Sequence, residues 1–286
     1  MMTNIPTVTL NNGNTMPILG FGVFQMSNEE AETSVLAAIK AGYRSIDTAT
    51  MYRNEEAVGR AIKRSGVPRE ELFITSKLWI SDASEEKAKA AVQLSLDKLG
   101  LEYIDLYLIH QPFGDVYGAW RGLETMYDEG KLKAIGISNF NTVQAYDLHY
   151  NARIKPAVNQ IETHPFNQQI DAHRFLTDLG IIHEGWAPFA EGAHDIFTNE
   201  LLGGIAKKHS KTIGQVILRW SVQRGVVAIP KSVKEDRIKE NFDIFDFELT
   251  NEDMARIALL DAGLTTVNHT DPAFLKYLHE RSEGKS

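Results

Sequence analysis

The chain contains no cysteine among its 286 residues. Disulfide bonds, thiolate metal sites and cysteine nucleophiles are therefore excluded. Basic tracts are also lacking, and a formal net charge of −8 disfavours nucleic acid or an anionic membrane as a partner. No apolar run approaches the roughly 18 residues of a membrane span, and residues 1–10 show no signal-peptide pattern. We therefore expect a soluble, cytoplasmic protein.

The sequence does contain a regular alternation of apolar strands and helical stretches. Strands are predicted at 20–24, 43–46, 72–77, 104–109, 132–137, 157–160, 181–186 and 226–229. Alternation of this kind implies a parallel sheet, and eight such units typically close into a barrel. The predicted fold is α/β, a (β/α)8 TIM barrel that forms one domain over residues 1–286. A β-hairpin at 7–19 is expected to cover the barrel floor, and a C-terminal extension follows residue 261.

Local sequence signals mark the ends of the predicted helices. Ser27 and Glu30 form a capping box before the first helix, and Thr250 with Asp253 repeats this spacing at the last one. Gly42 is expected to end the first helix, because glycine tolerates the left-handed conformation of a helix C-cap.

Four ionisable residues form the main candidate site. Asp47, Lys77 and His110 end three successive predicted strands, and Tyr52 follows Asp47 by five residues. The carboxyl ends of barrel strands form the active face, and charged residues are rarely buried unless they are paired. We interpret Tyr52 as a proton donor, His110 as a hydrogen-bond donor to a carbonyl oxygen, and Asp47 as the partner of the Lys77 charge. Lys77 is expected to lower the pKa of Tyr52 below that of free tyrosine.

A second group of residues predicts an anion site. No G-x-G-x-x-G motif follows any strand, which argues against a doubly wound dinucleotide fold. Lys231, Ser232 and Arg237 instead follow the last strand, where barrels often bind phosphate. Trp186 ends the seventh strand and could stack on a flat ring.

Several motifs, in order and at matching spacing, resemble the aldo-keto reductase family. They span 42–49, Tyr52 with 54–56, 75–79, 105–110, 136–140, 159–162 and 229–232. The resemblance extends from Gly20 to about Pro272. It implies a bacterial-type, NADPH-dependent carbonyl reductase on a (β/α)8 barrel. In this family pattern Tyr52 matches the general acid, Lys77 and Asp47 match its tuning pair, and His110 matches the residue that orients the carbonyl.

The resemblance also implies contacts with NADP(H) and with substrate. The implied cofactor contacts are Gly22, Val23, Asp47, Ser138, Asn139, Gln160, Trp186, Ala187, Pro188, Phe189, Lys231, Ser232, Val233, Arg237, Glu240 and Asn241. The implied substrate contacts are Phe24, Trp79, His110 and Phe113. No metal is expected.

The chain departs from the family pattern at three places. Gln111 stands where many relatives carry an aromatic residue, and Ala187 stands where serine is common. The stretch 111–118 is shorter than the corresponding loop of mammalian-type relatives. We expect a more open and more polar site with broad substrate tolerance.

Two alternatives compete with a monomeric reductase of small carbonyl compounds. One is a barrel enzyme that forms a Schiff base through Lys77, but a lysine paired with Asp47 stays charged and is a poor nucleophile. The other is a non-catalytic NADP(H)-sensing regulatory subunit, which would bind the cofactor without turnover.

Overall fold

The computed structural model describes residues 5–282, and its centre is a closed parallel barrel. The barrel strands are β3 (Phe21–Gly22), β4 (Ser45–Asp47), β5 (Phe73–Leu78), β6 (Leu106–Ile109), β7 (Ile135–Ser138), β8 (Val158–Glu162), β9 (Ile182–Trp186) and β10 (Val227–Ala228). Each strand pairs in parallel with the next from β3 to β10. The predicted (β/α)8 barrel is therefore confirmed.

A short seam between the first and last barrel strands closes the ring. Leu19 forms a parallel bridge with Ala228. The backbone N–H of Gly20 donates to the carbonyl of Ala228 at 2.9 Å, and that of Gly22 donates to Pro230 at 3.0 Å. The loops that follow β3 and β10 are consequently neighbours at the carboxyl end of the barrel.

The predicted N-terminal hairpin is present and covers the opposite end of the barrel. It comprises β1 (Thr7–Thr9) and β2 (Thr15–Pro17), which pair antiparallel. In its turn, the Asn11 amide donates to the carbonyl of Pro156, and Asn12 and Asn14 both donate to the carbonyl of Lys133, each at 2.8 Å. Pro156 and Lys133 precede β8 and β7. The hairpin thus closes the amino-terminal end and leaves the carboxyl end open.

Helices surround the barrel. They are α1 (Asn28–Ala41), α2 (Glu55–Ser65), α3 (Glu85–Leu99), α4 (Val116–Asp128), α5 (Thr142–Asn151), α6 (Ile170–Asp178), α7 (Glu200–His209), α8 (Ile213–Gln223), α9 (Glu235–Phe242), α10 (Asn251–Ala258) and α11 (Pro272–Ser282). The predicted capping boxes at Ser27 and Thr250 both form. Gly42 ends α1 with φ of 119°, and a Cβ there would lie 2.6 Å from the ring of Phe242. Within residues 5–282 no helix is both long and apolar enough to cross a membrane.

The helix α11 is the main element that the sequence analysis missed. The region after residue 261 was expected only as an extension, but α11 folds back across the open end of the barrel. The indole N–H of Trp79 donates to the hydroxyl of Ser282 at 2.7 Å. Leu278 is buried against Trp79 and Ile80 in a small apolar cluster. This helix therefore forms one wall above the carboxyl ends of the strands.

Candidate active site

The four ionisable residues that end or follow successive strands come together at the open end of the barrel. The ammonium group of Lys77 lies 2.6 Å from Asp47 Oδ1, 2.9 Å from the carbonyl oxygen of Thr48 and 3.3 Å from the hydroxyl of Tyr52. Lys77 is completely buried, and Asp47 nearly so. Parallel strands in register explain this convergence, because β4 and β5 are adjacent and both side chains point inward. The arrangement couples one phenol to one buried ion pair.

His110 completes this group from the end of β6. Its ring packs edge-on against Tyr52 and Trp79, with centroid separations of 5.7 and 5.2 Å. Burial, the Lys77 charge and His269 lower the pKa of His110 well below its ordinary value. The imidazole is therefore neutral at physiological pH, with one N–H able to donate to an oxygen atom in the cleft.

The pKa of Tyr52 corrects one expectation from the sequence. We expected Lys77 to lower this pKa below that of free tyrosine. In the structure, burial raises the pKa of Tyr52, and the opposing attraction of Lys77 is smaller than that effect, while Asp47 adds to the rise. The sequence argument assumed that in a partly buried site the attraction of Lys77 outweighs desolvation of the phenol, whereas Phe24 and His110 pack against the ring and desolvation is the larger effect. Tyr52 is therefore protonated throughout the neutral range.

Lys77 stays charged despite its burial. Burial alone would lower the pKa of Lys77, but Asp47 and Tyr52 reverse the effect, and the net direction is upward. A buried ammonium at 2.6 Å from a carboxylate is a fixed cation and a poor nucleophile. This geometry disfavours the Schiff-base alternative.

A set of amide and indole groups lies beside this centre on β7, β8 and β9. Trp186 donates from its indole N–H to Asn139 Oδ1 at 2.9 Å, and the Asn139 amide donates to the carbonyl of His110 at 3.0 Å. The Gln160 amide donates both to Asp47 Oδ2 at 2.8 Å and to Glu184 Oε2 at 2.9 Å. Because the two carboxylates hold the Gln160 NH₂ group, its carbonyl oxygen is the atom left for a ligand. The set therefore offers fixed amide groups next to an indole face.

The opposite end of the same cleft is cationic. Lys231 and Ser232 follow β10, and Arg237 lies in the first two turns of α9. Among residues 5–282, neither Lys231 nor Arg237 has a carboxylate within ion-pair distance, although each lines the cleft. Such cations near a helix N-terminus suit a phosphate group.

These two ends belong to one cleft of about 940 Å³. Most residues that the sequence pointed to line it, including Gly22, Phe24, Trp79, Ser138, Asn139, Gln160, Trp186, Ala187, Pro188, Phe189, Glu240 and Asn241. Val23, Val233 and Phe113 do not line it. Val23 is buried in the core, Val233 is exposed, and Phe113 packs against the cluster of Trp79, Ile80 and Leu278. Their contacts with a cofactor or substrate stay predictions.

Other lining residues were missed by the sequence analysis. His269, Phe274, Tyr277 and Arg281 reach the cleft from α11 and the segment before it, and no local motif signals this. Glu184 lies directly beneath the cleft on β9, with no exposed surface. A carboxylate inside the predicted apolar strand 181–186 was the available signal for Glu184.

Comparison with known proteins agrees with this geometry. Residues 18–262 match the family model described as the Aldo/keto reductase family. Glyoxal reductase of Bacillus subtilis (strain 168) is 54% identical over 257 residues, which cover 89% of this chain and 92% of that protein. Methylglyoxal reductase of Escherichia coli (strain K12) is 44% identical over 265 residues, covering 92% and 96%. A Bombyx mori aldo-keto reductase crystallised with NADP is 37% identical, with a TM-score of 0.88, covering 95% and 97%.

Proposed function

Since the chain belongs to the aldo/keto reductase family, we propose that it reduces small aldehydes and ketones to alcohols with NADPH. One observation carries this assignment: the Tyr52 hydroxyl lies 3.3 Å from Lys77, which is itself paired with Asp47 at 2.6 Å. The two relatives described above are named reductases of glyoxal and methylglyoxal, and this favours an enzyme over a regulatory subunit.

The cleft fits NADP(H) in its chemistry. Two cations with no carboxylate partner in the described part of the chain suit phosphate groups, with Ser232, Glu240 and Asn241 beside them. Trp186 suits stacking on a nicotinamide ring, while Ser138, Asn139 and Gln160 suit its carboxamide. When bound, NADPH supplies the hydride.

The residues of the chain supply the proton and the electrostatic stabilisation. Tyr52 is protonated at neutral pH and would donate its proton to the alkoxide oxygen that forms from the carbonyl. Neutral His110 would donate a hydrogen bond to the same oxygen and orient it. The Lys77 cation stabilises the phenolate left on Tyr52, and Asp47 keeps Lys77 charged and in position. Phe24 and Trp79 form apolar walls that limit water near this oxygen.

The substrate class that we propose is small dicarbonyl compounds. Gln111 makes this part of the cleft wall polar, whereas an apolar residue at this position would suit hydrophobic aldehydes. Its side chain is mostly buried, and its Oε1 has no hydrogen-bond partner among the described residues. A polar second group on the substrate could engage this amide. We expect a higher kcat/KM for glyoxal-type substrates than for apolar aldehydes of similar size, measured by NADPH oxidation.

The central test is Tyr52→Phe. This change keeps the ring and removes the proton donor, so kcat/KM for reduction should fall by about 10²–10⁴-fold. Binding of NADPH, followed by tryptophan fluorescence, should change little. Tyr146→Phe is a matched control, because Tyr146 is an exposed residue of α5 outside the cleft. Near wild-type turnover by Tyr52→Phe would reject the assignment.

We further propose that the protein acts as a monomeric, single-domain cytoplasmic enzyme. The closed barrel and the open cleft at its carboxyl end, both within residues 5–282, support a complete active site within one chain. Size-exclusion chromatography with light scattering tests the oligomeric state.

A further inference from the structure

Glu184 is a fully buried carboxylate that the proposed reaction does not use. It lies on β9 inside the barrel and has no exposed surface. Its Oε2 accepts a hydrogen bond from the Gln160 amide at 2.9 Å, and its Oε1 has no partner among the described residues. A buried, half-satisfied carboxylate is costly in its charged form. The group therefore has a reason to carry a proton.

Three titratable groups face Glu184, and the negative charge among them strengthens this tendency. They are Asp47 from β4, Lys77 from β5 and Tyr52 from the loop after β4. Lys77 already pairs with Asp47 at 2.6 Å, so its charge is largely compensated before it reaches Glu184. Burial and the negative charge of Asp47 raise the pKa of Glu184 to about 8. At neutral pH the group is mostly neutral but close to ionisation.

The position of Glu184 links it to the proposed nicotinamide site. It precedes Trp186 by two residues on the same strand, and alternate residues of a strand share a face about 7 Å apart. It also shares the Gln160 amide with Asp47. Glu184 is thus one side chain below two residues proposed to hold the nicotinamide.

We propose that Glu184 makes this site distinguish the oxidised cofactor from the reduced one. This inference rests on the proposed function, in which NADP(H) binds beside Trp186 and Gln160. The oxidised nicotinamide ring carries a positive charge, whereas the reduced ring is neutral. When NADP⁺ binds, the positive charge of its ring would lower the pKa of Glu184, so that the group releases much of its proton to solvent and carries more negative charge. NADPH binding leaves the proton in place.

The consequence is an affinity for NADP⁺ that depends on pH. Below about pH 8, part of the binding energy of NADP⁺ is used to remove the proton, so the oxidised product is held weakly and leaves readily. If the Glu184 carboxylate and a charged ring stacked on Trp186 are about 8 Å apart, close to the spacing of alternate strand residues, an effective dielectric near 20 gives a change in NADP⁺ affinity of up to about 30-fold. Because the cleft is open to water, we expect about tenfold.

The test compares dissociation constants of NADP⁺ and NADPH for the full-length protein at about pH 6.5 and about pH 9.5. The ratio of the two constants is the informative quantity, because both forms carry the same 2′-phosphate and its ionisation cancels. Tyr52 and His110 do not titrate in this window, since their pKa values are shifted above and below it. For the wild type, the ratio should change about tenfold in favour of NADP⁺ as pH rises.

Glu184→Gln should make this ratio independent of pH, because glutamine keeps the shape and cannot ionise. Glu124→Gln, a buried carboxylate of α4 remote from the cleft, is the matched control and should behave as wild type. A second measurement needs no variant: calorimetry in two buffers of different ionisation enthalpy should show proton release on binding NADP⁺ near pH 7 and none on binding NADPH. A wild-type ratio that does not change, or equal proton release with both forms, would overturn the inference. If both cofactor forms bind and turnover proceeds in that case, the proposed function survives.

Discussion

Replacing Lys77 with methionine removes the buried cation on which the proposed proton transfer depends. The ammonium group lies 2.6 Å from Asp47 and 3.3 Å from the Tyr52 hydroxyl. At 3.3 Å and an effective dielectric near 20, the cation stabilises a phenolate by up to about 5 kcal/mol. Asp47 offsets part of this stabilisation, so about 4 kcal/mol is a reasonable expectation, which corresponds to about a 10³-fold loss in kcat/KM.

The same substitution should also destabilise the fold. Asp47 is nearly fully buried, and without Lys77 its charge has no cationic partner among residues 5–282. Removing one partner of a buried ion pair typically costs about 3–5 kcal/mol. Loss of activity in Lys77→Met alone could therefore reflect unfolding, and a second variant separates the two effects.

The double variant Asp47→Asn/Lys77→Met removes both charges. Its free energy of unfolding, from urea titration, should recover towards the wild-type value, because no charge is left buried without a partner. Its kcat/KM should remain about 10³-fold low. Both variants are assayed by NADPH oxidation at saturating cofactor, with deuterated NADPH to verify that chemistry limits the rate. If Lys77→Met keeps activity within tenfold of wild type, or the double variant regains it, the proposed coupling is wrong.

The pH profile gives a further check on the same coupling. Reduction needs the protonated phenol, so activity is lost only as pH rises through the pKa of Tyr52. Because burial raises this pKa, the midpoint of the loss of activity at alkaline pH should lie above the pKa of free tyrosine, which is about 10. Lys77→Met removes the group that lowers the pKa, so any alkaline limb should move to higher pH. A wild-type limb centred below about pH 9 would contradict this reasoning.

Three further predictions concern the cofactor and the fold. Arg237→Ala should weaken NADPH binding about 10–100-fold and NADH binding little, whereas Lys234→Ala, outside the cleft, should change neither. Glu184→Gln should raise the melting temperature, and this gain should grow as pH rises from about 5 to about 8. The reason is that a carboxyl group whose pKa is raised on folding destabilises the native state more as pH rises through that range. An equal gain at all pH values would contradict this prediction. Gly59→Ala should cost about 3 kcal/mol in chemical denaturation, since its Cβ would lie 2.3 Å from a carbonyl oxygen of α3, whereas Gly204→Ala, with open space around it, should be neutral or stabilising.

The sequence predicted the barrel because its signals are local and repeated. Short apolar strands, capping boxes such as Ser27 with Glu30, and glycine stops each depend on a few neighbouring residues, and together they imply the parallel ring. The convergence of Asp47, Lys77 and His110 then follows from the parallel order of β4, β5 and β6.

The features that the sequence did not predict depend on contacts between residues that are far apart in the chain. The helix α11 begins at Pro272 and its placement rests on Trp79 and Leu278, which are about 200 residues apart in the chain. The wrong direction for the pKa of Tyr52 has the same origin, because the depth of burial is a property of the assembled rim. The unpaired oxygen of Glu184 likewise appears only when β8 and β9 are side by side.

The seam between β3 and β10 makes the cleft a late product of folding. Leu19 and Ala228 are about 200 residues apart, and both strands that meet there are two residues long. Contacts of such high sequence separation carry a large loop-closure cost and form slowly. Phe24 and Lys231 follow the two strands of this seam and line the same cleft, so they can share a pocket only after the seam closes. During synthesis, a chain that still lacks residues 226–241 also lacks Lys231 and Arg237, and therefore the cationic end of the cleft. Binding of the cofactor would then stabilise only chains in which the barrel has closed.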